Sequence, residues 1–73
     1  MKIDTSSYEQ FNQKKPKGFG IWIFEFPNQA PFTMRGDYEA VKLSAVKEAE
    51  EWGVTAVSLS KYSVTSDEGF QSI

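Results

Sequence analysis

The sequence predicts a small α+β domain. Three antiparallel strands in the order 2-1-3 carry one helix on one face, in the chain order ββαβ. Three observations lead there. Residues 18–26, Gly-Phe-Gly-Ile-Trp-Ile-Phe-Glu-Phe, form the most apolar stretch of the chain and read as a strand that is apolar on both faces. Residues 38–52 place Tyr38, Val41, Ala45, Ala49 and Trp52 at spacings of 3, 4, 4 and 3, the stripe of an amphipathic helix. At 73 residues there is room for a single domain, 1–73, with a modest core.

Residues 1–17 are polar, with Ile3, Tyr8 and Phe11 as isolated anchors, and read as an N-terminal arm. Ser7 ahead of Tyr8-Glu9-Gln10 has capping-box spacing, which allows one helical turn over 8–12. Lys14-Lys15-Pro16-Lys17 ends it, because a proline disfavours the helical region for the residue before it. The central strand follows over 19–26. Pro27-Asn28-Gln29-Ala30-Pro31 is a turn, and 32–35 form a second strand that completes a hairpin. Asp37 is placed to cap the helix and Gly53 to stop it. Residues 54–64 read as a third strand, with a shift in apolar phase at Tyr62 and Val64 that points to a bulge near Lys61. Residues 65–73 read as a flexible tail.

Alternation along the central strand separates its faces. The reading puts Trp22, Phe24 and Phe26 under the helix, with Phe32, Met34, Val57, Leu59 and Trp52 completing the core. Phe19, Ile21 and Ile23 then fall on the opposite face, flanked by Thr33, Arg35, Ser58 and Ser60. Glu25 shares that face and favours this choice of inside and outside. The reverse choice, with Trp22, Phe24 and Phe26 outside, is the alternative. A further alternative folds Ile3, Tyr8 and Phe11 back over Phe19, Ile21 and Ile23.

Composition removes several classes of function. The chain has no histidine and no cysteine, so the usual general bases, nucleophiles, disulfides and thiolate metal sites are missing. The carboxylates show no ligand-loop spacing, and no metal or cofactor is expected. Glu48, Glu50 and Glu51 beside Lys47 read as solvated helix pairs. Arg35-Gly36-Asp37 reads as a strand end, a glycine and a helix cap rather than an adhesion tripeptide. A net charge of −2 with mixed signs gives no bulk attraction to nucleic acid or lipid. No stretch approaches the roughly 20 apolar residues of a membrane span, and the N-terminus lacks a signal-peptide core. The expectation is a non-enzymatic cytoplasmic protein that makes no membrane contact.

Two local patterns resemble known families. Lys17-Gly18-Phe19-Gly20-Ile21-Trp22-Ile23-Phe24 resembles the signature strand of RNA-recognition motifs, and its start is similar to the Lys-Gly-Phe-Gly-Phe strand of cold-shock domains. That resemblance implies Phe19 as a base-stacking ring, with Ile21 standing where those families carry a second ring. The rest of the chain departs from both families: 17 residues precede the strand, too few for the strand and helix of an RNA-recognition motif, and a helix occupies the middle. Ala45 and Ala49, then Glu51-Trp52-Gly53, then Val57-Ser58-Leu59, resemble the helix-to-strand junction of some small anti-CRISPR proteins of bacteriophages. That resemblance implies a phage-encoded inhibitor of a host defence complex, working by occupying a surface, and it transfers no residue roles.

The functional expectation is a non-catalytic protein-binding module. Its partner face comprises Phe19, Ile21, Ile23 and Arg35, and its partner is another protein or a second copy of the chain. The competing class is a single-stranded nucleic-acid binder that uses Lys14, Lys15, Lys17, Phe19 and Arg35, with the cations on phosphates.

Overall fold

A computed structural model describes residues 2–65. The elements run β1 (Ile3–Asp4), α1 (Ser6–Asn12), β2 (Phe19–Glu25), β3 (Phe32–Asp37), α2 (Tyr38–Glu51), β4 (Val57–Leu59) and β5 (Val64–Thr65). The fold is α+β, as expected. Among the described residues it has two helices and a mixed five-stranded sheet, not one helix on three antiparallel strands. The path is β1-β4-β2-β3, with β5 also paired to β2. The β2–β3, β2–β4 and β2–β5 ladders are antiparallel, and β1 adds to β4 in parallel.

The difference arises at both ends of the chain. Residues 3–12 of the expected arm form β1 and α1. Ile3 lies beside Val57 in the β1–β4 ladder and packs on the core. The helix starts at Ser6, ahead of the expected turn. Asp4 initiates it: one carboxylate oxygen accepts from the Ser6 amide at 3.0 Å and the Ser6 hydroxyl at 2.7 Å. These bonds hold the Asp4 carboxyl below its usual range. Tyr8 is wholly buried, its ring 5.6 Å from Trp22, which is 4.9 Å from Tyr38. α1 therefore joins α2 on the inner face and does not fold back over Phe19, Ile21 and Ile23. Phe11 stays exposed.

The expected third strand is two strands separated by an excursion. β4 pairs with β2 at Phe24 and Glu25, and β5 pairs with it at Gly20 and Ile21. Residues 60–63 leave the ladder between them, where the sequence pointed to a bulge. Ser60 and Ser63, both buried, repair the gap. The Ser60 amide donates to the Ile23 carbonyl at 2.8 Å, and the Ile23 amide donates to Ser63 Oγ at 2.9 Å. Ser60 thus continues the β4 register opposite Ile23, but it is buried where the excursion begins. Thr65 ends β5, and the remaining expected tail, 66–73, lies outside the described residues.

The inner core is Trp22, Phe24, Phe26, Tyr38, Val41, Ala45, Ala49, Val54, Val57 and Leu59, with Tyr8. Two expected members are displaced. Met34 faces inward by register with Trp22 but sits on the sheet's edge strand and stays exposed. Trp52 is 62% exposed. The cause is a Schellman motif. Gly53 adopts φ +72°, its amide donates to the Glu50 carbonyl, and the Val54 amide donates to the Ala49 carbonyl at 2.8 Å. This turn puts Val54 against the helix end, where periodicity had placed Trp52. The Trp52 indole swings out and donates to Glu48 at 2.9 Å.

The two tryptophans thus differ in role. Trp22→Ala is expected to cost about 3–5 kcal/mol, and Trp52→Ala to stay within about 0.5 kcal/mol. Urea unfolding checks both, and iodide should quench the fluorescence of Trp22→Phe far more readily than that of Trp52→Phe. Ser63→Ala strips a partly buried amide of its acceptor and is expected to cost about 1–3 kcal/mol in the same assay.

Candidate partner-binding face

In an antiparallel ladder, directly paired residues share a face. The β2–β3 register pairs Ile21 with Arg35 and Ile23 with Thr33, and the β2–β5 register pairs Ile21 with Val64. These residues and Phe19 form one outer surface, opposite the face that both helices cover. No described element packs over it. Phe19 is 47% exposed, and Ile21, Ile23 and Val64 are half-buried along a continuous apolar strip. The Arg35 guanidinium lies 5.8 Å from the centre of the Phe19 ring, within cation–π range. Glu25, exposed, closes the other end of the strip beside Ser58.

The local sequence explains this layout. Gly20 stands at the closest approach of β5 to β2. A Cβ there would meet the Val64 carbonyl oxygen at 2.3 Å, which no shift of a side chain relieves. The Gly-Phe-Gly pattern of the RNA-recognition resemblance therefore has a packing cause in this fold. Gly18 contributes too, since its carbonyl accepts from both the Tyr38 amide and the Trp22 indole.

Phe19, Ile21, Ile23 and Arg35 are brought together on one surface. The lysines are not. Lys14 reaches Thr65 Oγ1 at 3.3 Å, and Thr65 pairs with Gly20 on the inner side of the sheet. Lys15 and Lys17 are exposed in the segment between α1 and β2. Directly opposite Phe19 stands an acid, Asp37, whose carboxylate accepts from the Glu39 amide at 3.2 Å and caps α2. Sequence reasoning missed Val64 as a member of the strip, because the excursion at 60–63 breaks the alternation that would have counted it in. It also missed a cluster outside the strip: Phe11 and Tyr62 lie 6.3 Å apart, with the Lys61 ammonium 5.5 and 5.4 Å from the two rings.

Among the described residues, no group of three or more Asp or Glu is placed to hold a metal ion, and no helix is long and apolar enough to cross a membrane. Burial raises the Tyr38 phenol above its ordinary pKa, with Glu39 and Glu9 adding to the shift. That ring belongs to the core, against Trp22 and Phe24. No family model, no curated protein and no solved structure matches the chain.

Because the strip faces away from the core, Phe19→Ser combined with Arg35→Ala is expected to lower stability by about 1 kcal/mol or less. Chemical denaturation of the double variant checks this. A loss near that of Trp22→Ala would mean that the fold depends on the strip.

Proposed function

We propose that this protein is a non-catalytic binding module whose partner is a protein and whose contact surface is the outer face of β2, β3 and β5. One observation carries the reading. A strand at the centre of the sheet presents Phe19, Ile21 and Ile23 outward, although both helices are already spent on its other face. Soluble proteins rarely expose a contiguous apolar patch at mid-sheet without using it. An arginine within cation–π range of an aromatic ring at the end of such a patch is the kind of anchor in which interface energy concentrates. The resemblance to anti-CRISPR proteins supplies a specific form of the proposal: an inhibitor that occupies a surface of a host defence complex.

The nucleic-acid reading is weaker. It keeps one exposed ring and Arg35, but Lys14 points to the inner side and Asp37 flanks the ring. The two readings separate with salt. Immobilised wild-type protein is expected to retain its partner from an extract as salt rises from about 50 to 500 mM, whereas phosphate-driven binding falls steeply over that range. Phe19→Ser with Arg35→Ala should lose the partner, and Leu43→Ala, on the exposed outer side of α2, should keep it. Retention by the double variant removes the outer face as the site.

A further inference from the structure

We infer that the cleft between the β2–β3 turn and the C-terminal end of α2 binds an arginine side chain of a partner protein. Phe26, Gln29, Pro31, Phe32, Glu48 and Trp52 line it, and its volume is about 530 Å³. Sites that hold small ligands run from roughly 300 to 1,000 Å³. Phe26 and Phe32 belong to or pack on the core, so the cleft lies on the inner side of the sheet. It is separate from the Phe19–Ile23 strip, and the inference goes beyond the outer-face reading without depending on it.

The combination of rings and one carboxylate carries the inference. On the hairpin side, the Phe26 and Phe32 rings lie nearly parallel, 15° apart, with centroids separated by 6.4 Å. On the helix side, Trp52 is 62% exposed and is held twice by Glu48. The Glu48 carbonyl accepts from the Trp52 amide at 3.1 Å, and one carboxylate oxygen accepts from the indole N–H at 2.9 Å. An indole N–H donates in the plane of its ring, so this bond sets the carboxylate at the ring's edge rather than over its faces. A guanidinium laid flat on the indole meets the negative π face and reaches the carboxylate with its own N–H groups. Its planar fork of donors suits this pairing, whereas a lysine ammonium is a compact point charge.

The surrounding charges favour a cation. Among the described residues, no lysine or arginine lines the cleft, and Lys47, next to Glu48 in sequence, is not part of it. The Glu48 carboxylate has no ion pair and no hydrogen bond besides that to Trp52. Glu50 and Glu51 follow on the same end of α2. A second copy of the chain is not the donor, because the one arginine of the sequence, Arg35, already lies against Phe19. The arginine therefore comes from a different protein.

Titration of the ¹⁵N-labelled protein with acetyl-Gly-Arg-Gly-amide tests this by nuclear magnetic resonance. The chain has two indole N–H signals, and that of buried Trp22 serves as the internal reference. The Trp52 signal is expected to shift with a dissociation constant in the millimolar range, as suits one side chain on an open cleft, while the Trp22 signal stays in place. The lysine peptide should bind about threefold more weakly, and the citrulline peptide, its neutral isostere, about tenfold more weakly. Glu48→Gln keeps an acceptor for the indole but removes the charge, and should weaken the arginine peptide about fivefold or more. Trp52→Ala, followed through the Gln29 and Ala30 amides, should weaken it about tenfold. No Trp52 shift by about 20 mM arginine peptide overturns the proposal. So does a citrulline or lysine peptide that binds as well as the arginine peptide, or a Glu48→Gln protein that binds like the wild type. None of these variants touches the outer strip, so their failure leaves the outer-face reading to its own experiment.

Discussion

The fold depends on the burial of Trp22 at the centre of the sheet. Its ring fills the space between the two helices, touching Tyr8 from one and Tyr38 from the start of the other. A buried indole must also place its N–H, since an unsatisfied donor in the interior is costly. Trp22 does so by donating to the carbonyls of Gly18 and Gly36, each at 3.1 Å. Those carbonyls belong to the start of β2 and the end of β3, so one side chain ties the hairpin's open end to the core. Tyr38 follows at once, its amide bonded to Gly18. The helix begins where the tryptophan has fixed the strands.

That constraint explains why the chain ends matter in so small a domain. α2 approaches the sheet closely through Val41, Ala45 and Ala49, and alanines alone do not cover an indole. Tyr8 supplies the missing volume, and Asp4 and Ser6 start the helix that delivers it. On the far side, β5 must lie against Gly20 for Thr65 to be buried. The excursion at 60–63 lets one segment pair with both halves of β2, and two serines supply the hydrogen bonds that the ladder loses.

Most of the central architecture was legible because it rests on local periodicity. Alternation in residues 19–26 separated the two faces of β2 correctly, and the helix, its Asp37 cap and the hairpin follow from short-range rules. The errors share a cause. Trp52 fits the helical stripe, but the Schellman geometry at Gly53 ends that stripe before it and recruits Val54. Gly53 followed by an aliphatic residue was the signal for it. β1 and β5 are two residues long, too short for any periodicity, and exist only through pairing with strands distant in sequence. Tyr8 had no periodic companions, so nothing local marked it as a core residue. For the candidate site, Phe19, Ile21, Ile23 and Arg35 could be grouped from alternation and hairpin register, whereas placing Lys14 or Val64 required the tertiary path.

The outer strip mixes β-branched residues with one aromatic ring. Isoleucine at 21 and 23 suits the strand, since β-branched side chains favour a pleated surface whether or not something covers them. Val64 has the same justification. Phe19 is different. It lies between two glycines at the start of β2, outside the core, with its ring half exposed beside Arg35. Arg35 partly shields the ring, and that contact restricts its own side chain. The pair therefore holds an aromatic surface outside the core. On the proposed reading, the Phe19–Arg35 contact orders one end of the outer face for docking.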